Sequence, residues 1–184
     1  YIGKKYIYIV NQIIFQYQKK KYLFEYISMN PNLTQIIKDN LDKLDDYYHL
    51  SMNKNAIPIL EKNLTNINWN MLSVNKNALS LLEKYKHNIN WNYISSNKKA
   101  IQLLEKNINN INWKYLSMNK NAIHLLEKNK DKIDWSFLSE NKNAIHLLEN
   151  NFNKINWSFL ASNENAIHIL EKNINKLSID DWIE

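Results

Sequence analysis

Apolar and polar positions follow one recurring order from Phe24 onward. Between Trp113 and Asp134 that order is Trp113, then Leu116, then a polar run around Asn119. Ala122, Ile123, Leu125 and Leu126 follow, and Ile133 closes the stretch before Asp134. The step from Trp113 to Leu116 and the cluster from Ala122 to Leu126 both have helical spacing. Trp69, Trp91, Trp113, Trp135 and Trp157 stand 22 positions apart and mark the same point in successive copies. A fixed period in this range predicts a stack of small supersecondary units, each burying its apolar face against its neighbours. With the aromatic as place 1, repeats begin at Phe24, Tyr47, Trp69, Trp91, Trp113, Trp135 and Trp157, and a half repeat begins at Ile179. The first repeat has 23 residues, the extra one lying near Asp45 and Asp46.

Polar positions set the expected helix ends. Place 7 is Asn in all seven repeats: Asn30, Asn53, Asn75, Asn97, Asn119, Asn141 and Asn163. Pro31 follows the first of them, and Asn then Pro is the order of an N-cap and a first helical residue. A helix is therefore expected to start directly after this Asn in every repeat. Place 17 is Asn in six of seven repeats, with Tyr85 the exception. It is expected to end the helix in the left-handed conformation. The resulting helix of about ten residues is too short to stand alone. Pro58 falls inside it and is expected to kink or shorten it. The Asn or Asp that closes most repeats is expected to cap a second helix of one to two turns, α or 3₁₀, led by the aromatic. Ser at place 5, in six of seven repeats, turns the chain into the Asn of place 7.

The expected fold is all-α. It is a right-handed α-solenoid of seven short two-helix repeats over residues 24–184, behind a non-repeat N-terminal cap over residues 1–23. At about 8–10 Å per rung the stack would be on the order of 60–70 Å long. In the cap, Tyr6 to Val10 alternates like a strand and Asn11 to Tyr22 reads as a helix. The competing architecture is a leucine-rich-repeat horseshoe with Ile-x-Trp as a parallel strand. The sequence argues against it, because Ile-x-Trp-x-x-Leu takes a helical step after the Trp.

Composition narrows the function classes. At 184 residues and 45% hydrophobic, the chain suffices for one continuous core. The lack of cysteine excludes disulfides, thiolate metal sites and thiol nucleophiles. The most apolar N-terminal run, Tyr6 to Phe15, is shorter than a bilayer crossing and contains Asn11 and Gln12, so no membrane partner is expected. The net charge is +6, and all 24 basic residues are lysine. A surface selected for nucleic acid normally uses arginine for bidentate contacts. The abundant Asn, Ile, Lys and Tyr have AT-rich codons, so compositional drift accounts for much of the basicity. A nucleic-acid partner is only weakly supported.

The candidate contact residues lie at place 12, which reads Gln35, Pro58, Ser80, Gln102, His124, His146 and His168. On a helical wheel His124 lies opposite Ala122 and Leu126, flanked by Lys120, Glu127 and Lys128. Variable exposed positions on a repeated scaffold are where specificity usually sits. The expected ridge is Gln102, His124, His146 and His168 with Lys120, Lys142 and Lys128. A metal among these histidines fails on geometry, since rungs about 8–10 Å apart exceed ligand bonds of about 2 Å. Glu61, Glu83, Glu105, Glu127, Glu149 and Glu171 recur once per repeat, whereas a catalytic pair needs two different environments. The Trp column, followed by Leu or Ile three residues on, is expected to be structural rather than a stacking platform. The Asn columns are expected to bond backbone at the turns. No catalytic residue, metal, cofactor or small-molecule substrate is expected.

The sentence Asn-x-Asn-Ala-Ile-His-Leu-Leu-Glu, followed after a loop by Ile-Asp/Asn-Trp-x-x-Leu, stands at Asn121–Leu138 and Asn143–Leu160. It resembles a tandem-repeat family of giant DNA viruses of the mimivirus and algal-virus kind, over roughly residues 24–178. That family often has Pro after the capping Asn; only Pro31 keeps it here. The resemblance implies a viral source, in the virion or the infected-cell cytoplasm, and no particular activity. The expected function is a non-enzymatic scaffold for protein–protein interaction. The alternatives are a structural component of the virus particle and a lysine-driven nucleic-acid binder. If the histidine ridge makes the contact, partner affinity changes between about pH 5 and 7.5, where exposed histidine ordinarily titrates. A pH series of binding measurements checks this; a flat profile removes the histidines from the interface.

Overall fold

A computed structural model describes residues 28–44 and 47–177 of the chain. The expected cap over residues 1–23 and the half repeat from Ile179 lie outside the described residues. The fold is all-helical, in short helices repeated along the chain. Among the described residues there is no strand, only an isolated parallel bridge between Tyr47 and Ile67, which removes the horseshoe.

The chain divides into two compact units, Tyr1–Asn90 and Trp91–Glu184. In the first, helix Tyr48–Met52 packs on helix Trp69–Val74. In the second, Trp91–Ser96 packs on Trp113–Ser117, which packs on Trp135–Ser139, which packs on Trp157–Ala161. Within each unit, each repeat thus leans on its neighbours in sequence order, as a solenoid requires.

One repeat consists of the two expected helices and, in addition, a 3₁₀ turn. In the fifth they are helix Trp113–Ser117, helix Ile123–Lys128 and the 3₁₀ turn Lys130–Lys132. The first helix is capped as expected. The side-chain oxygens of Asn68, Asn112, Asp134 and Asn156 accept from the amides of Met71, Tyr115, Phe137 and Phe159 at 3.1–3.2 Å. This satisfies a donor that the start of a helix leaves without an intrahelical partner.

The second helix starts later than expected. Asn119 Oδ1 accepts from the Asn121 amide at 3.1 Å, and the Ala122 amide donates to the Asn119 carbonyl at 2.9 Å. The Asn therefore closes a tight turn, Ala122 becomes the N-cap, and the helix runs only from Ile123 to Lys128. In the first and seventh repeats the residues after the Asn, Pro31–Leu33 and Glu164–Ala166, do wind directly, but as 3₁₀ turns. The helix with Pro58 is the shorter one that was expected, four residues against six in Leu79–Lys84 and Ile123–Lys128, but the late start spares it a break. Pro58 is the second residue of helix Ile57–Leu60, where a missing N–H breaks no intrahelical bond.

The helix ends differ too. Place 17 is not left-handed: Asn63 has φ −134° and Asn129 φ −133°, and no described residue has positive φ. Instead the side-chain amide donates to the carbonyl four residues back. Asn63 reaches Ile59 at 2.7 Å, Asn107 reaches Leu103 at 2.7 Å and Asn129 reaches Leu125 at 2.8 Å. An orphan carbonyl is satisfied by side chain rather than by a backbone reversal.

Aliphatic side chains fill the centre. Leu50, Leu60, Leu72 and Leu82 in the first unit, and Leu104, Leu116, Leu126 and Leu138 in the second, are wholly buried beside the Ala column. The tryptophans sit half-buried at the rim of this core. Lys132 lies 5.1 Å from the Trp113 ring and Lys154 4.6 Å from Trp135, while Tyr85 packs on Trp69 and Phe152 on Trp157. Their apolar faces cover the core edge and their outer faces meet lysine stems.

A buried polar ladder ties the rungs together. Asn119 Nδ2 donates to the Ser95 carbonyl at 3.0 Å and the Asn97 carbonyl at 3.3 Å, both in the preceding repeat. Asn75 does the same to Ser51 and Asn53. The serine hydroxyls complete the link: Ser117 Oγ donates to the Trp113 carbonyl at 2.8 Å and accepts from the Asp134 amide at 3.1 Å. A second, exposed ladder runs alongside, for example Asn121 Nδ2 to the Lys98 carbonyl at 3.0 Å. Removing a buried partner leaves polar groups unsatisfied, so Asn119→Ala is expected to lower stability by about 1–3 kcal/mol. The exposed Asn121→Ala is expected to stay within about 0.5 kcal/mol of the parent. Urea unfolding of both variants checks the difference.

Candidate functional surfaces

The histidine column is exposed, as its place on the second helix requires, and each member is engaged across the rung. His124 Nε2 lies 2.7 Å from Glu105 Oε1, His146 Nε2 2.7 Å from Glu127 Oε1, and His168 Nε2 2.9 Å from Glu149 Oε1. Each partner glutamate is 19 residues earlier, at place 15 of the preceding repeat. The structure turns the two columns into one alternating acid–imidazole ladder over Glu105–His168.

Gln102 continues that column as an exposed residue. Lys128 is exposed in the last turn of its helix, where a positive charge suits the carbonyl end. Lys120 and Lys142 belong elsewhere. They line an open groove of about 400 Å³ along the first helices of the Trp91–Glu184 unit, with Lys98, Tyr115, Met118 and Glu140. A further hollow of about 360 Å³ shares Glu140 and Ser162 with it and adds Phe159. The expected ridge therefore separates into a histidine ladder and a lysine-lined groove.

Local geometry explains how the groove forms. Place 3 lies on the first helix, away from the buried Leu or Ile at place 4; place 6 lies at the end of that helix, as its C-cap in the last three repeats, and place 8 lies in the turn after the Asn of place 7. Place 3 carries Tyr93, Tyr115, Phe137 and Phe159, of which Tyr93 is 41% exposed, Tyr115 40% and Phe159 36%. Phe137 is covered more, by Phe159 at 5.4 Å between ring centres and by Lys114 at 4.6 Å. Place 8 is Lys54, Lys76, Lys98, Lys120 and Lys142 in turn, and then Glu164. Sequence reasoning passed over this face, although Tyr or Phe stands at place 3 in the last four repeats and lysine at place 8 in five successive repeats.

Glu164 breaks the lysine column and reaches back one rung to form an ion pair with Lys142. The hydrogen bond from Lys142, then its charge, hold the Glu164 carboxyl below the ordinary glutamate value; Lys120 adds to this and slight desolvation opposes it. For a depressed carboxyl the contribution is present above the unfolded pKa and is lost as pH falls through the lowered folded one.

In the Tyr1–Asn90 unit a separate groove of about 560 Å³ lies between second helices, lined by Thr34, Gln35, Lys38, Leu41, Pro58 and Ile59 among others. The first two members of the place 12 column face this hollow. Among the described residues no three His, Cys, Asp or Glu side chains are grouped to hold a metal ion, and no helix is long and apolar enough to cross a membrane.

Compared with family models, with curated proteins and with solved structures, the chain finds no match. Its surfaces are therefore read from their own chemistry. Exposed side-chain pairs, charged or not, contribute little, so His124→Ala, His146→Ala and His168→Ala are each expected to cost no more than about 1 kcal/mol. Thermal unfolding of the three variants checks this, and a larger loss in any one would give the ladder a structural weight its exposure does not suggest.

Proposed function

We propose that this chain is a non-enzymatic viral repeat scaffold that binds a protein partner. The resemblance of the repeat to those of giant DNA viruses supports the viral part of the reading. The groove supports the binding part. One observation carries it: the exposed Tyr115, Met118 and three lysines line one open groove. Aromatic and methionine side chains give large contact area at low ordering cost, and interfaces are enriched in them. The glutamates of place 15 recur once per repeat in near-identical surroundings, whereas acid–base catalysis requires a pair in contrasting environments.

The groove and the histidine ladder are rival contact surfaces, and variants separate them. Proximity labelling from the tagged chain in producing cells, read by mass spectrometry, defines the neighbours. Tyr93→Ala with Tyr115→Ala is expected to remove the main protein neighbour, while His146→Ala is expected to keep it. The reverse pattern transfers the contact to the histidine ladder, and an unchanged neighbour set in both variants rules out both surfaces.

A further inference from the structure

We infer that the groove of the Trp91–Glu184 unit takes an extended acidic peptide with a carboxylate at every third residue, and that Glu164 marks where the site ends. This rests on the protein-binding reading above and names the class of partner.

The chain itself shows how a carboxylate sits on this face. Five successive repeats have lysine at place 8; in the seventh repeat the same place is Glu164, and its carboxylate pairs with Lys142 one rung back. Lys98 and Lys120 stand at the corresponding points of the two preceding rungs and line the same groove. Neither has an ion-pair partner among the described residues. A partner that presents carboxylates to them would repeat a contact the protein already makes with itself.

Spacing fixes the peptide pattern. Stacked helices repeat at about 8–10 Å, and a peptide in the polyproline II conformation advances about 3.1 Å per residue with three residues per turn, which brings every third side chain to the same side. About three residues thus span one rung, so carboxylates three apart meet Lys98 and Lys120 in register. The two residues between them pass Tyr115 and Met118, which line the groove between these lysines. Apolar or small side chains fit there.

The same face is less suited to a nucleic-acid strand. Glu140 lines the groove, and Glu164 already holds Lys142, so a chain carrying a phosphate on every nucleotide would meet carboxylates within the site. No arginine is available for bidentate phosphate contacts. A peptide carries its charges only where the lysines stand.

The test uses the full chain and short fluorescent peptides, read by anisotropy at low and physiological salt. One peptide has Glu at every third residue with alanine and leucine between; a second has the same composition with the glutamates contiguous; a third has lysine for glutamate. Oligouridine is the nucleic-acid probe. The periodic acidic peptide is expected to bind best. Lys120→Glu is expected to weaken it by about tenfold, through charge reversal at the contact. Glu164→Gln is expected to tighten binding of a peptide one period longer by a few fold, because it releases Lys142. All these residues are at least partly exposed, and unchanged circular dichroism and unfolding midpoints confirm that the variants fold.

Equal binding of the periodic and contiguous peptides, no effect of Lys120→Glu, or tighter binding of oligouridine would each overturn the inference. Failure of the scaffold reading is distinct. If the tyrosine variants lose their protein neighbour while no acidic peptide binds, the scaffold stands and the ligand class falls. If the tyrosine variants keep every neighbour and the periodic peptide still binds in a Lys120-dependent way, the groove is a peptide site and the larger scaffold role falls.

Discussion

The buried asparagine of place 7 is the constraint on which the rest of the structure depends. Its amide donates to carbonyls in the preceding rung, and its oxygen accepts from its own rung, as Asn119 does to Ser95, Asn97 and Asn121. One side chain thus sets a turn and fixes the rung spacing together. An unpaired polar group at that depth costs free energy, so the side chain enforces register as well as holding it. The later start of the second helix follows from the same commitment. The chain must turn around the Asn before Ala122 can cap, which leaves a helix of six residues instead of ten.

The aliphatic core is organised around this ladder. Ala at place 10 and Leu or Ile at places 4 and 14 are buried against neighbouring rungs, while Trp stands at the rim. An indole is too large for a rung this thin to enclose. It contributes area on one face and leaves the other to lysine, tyrosine or phenylalanine. The tryptophan beat is thus the most visible feature of the sequence, but Leu116 and Leu126 occupy the centre.

The helical stack was legible from the period, and the caps at Asn68, Asn112, Asp134 and Asn156 from residue type alone. Both depend on local sequence. The helix end at Asn129 was misread because Asn serves two ways of stopping a helix, by backbone reversal or by a side-chain bond to Leu125, and residue identity does not choose between them. The 3₁₀ turn Lys130–Lys132 leaves no hydrophobic signature, since it buries nothing. The pairing of His146 with Glu127 spans 19 residues and exists only because one rung sits on the next. The groove combines places 3, 6 and 8, and those columns become neighbours only once the turn after Asn is known.

Not one described residue needs a left-handed backbone. Closing most turns with asparagine side chains frees the repeat from positions that only glycine tolerates, and the whole chain contains a single glycine. A gene of this kind can drift far towards one base composition without losing a turn. Recombination between near-identical copies adds or deletes a whole rung without creating a backbone conformation the next rung cannot accept. The number of lysine positions along the face then changes in whole steps with copy number.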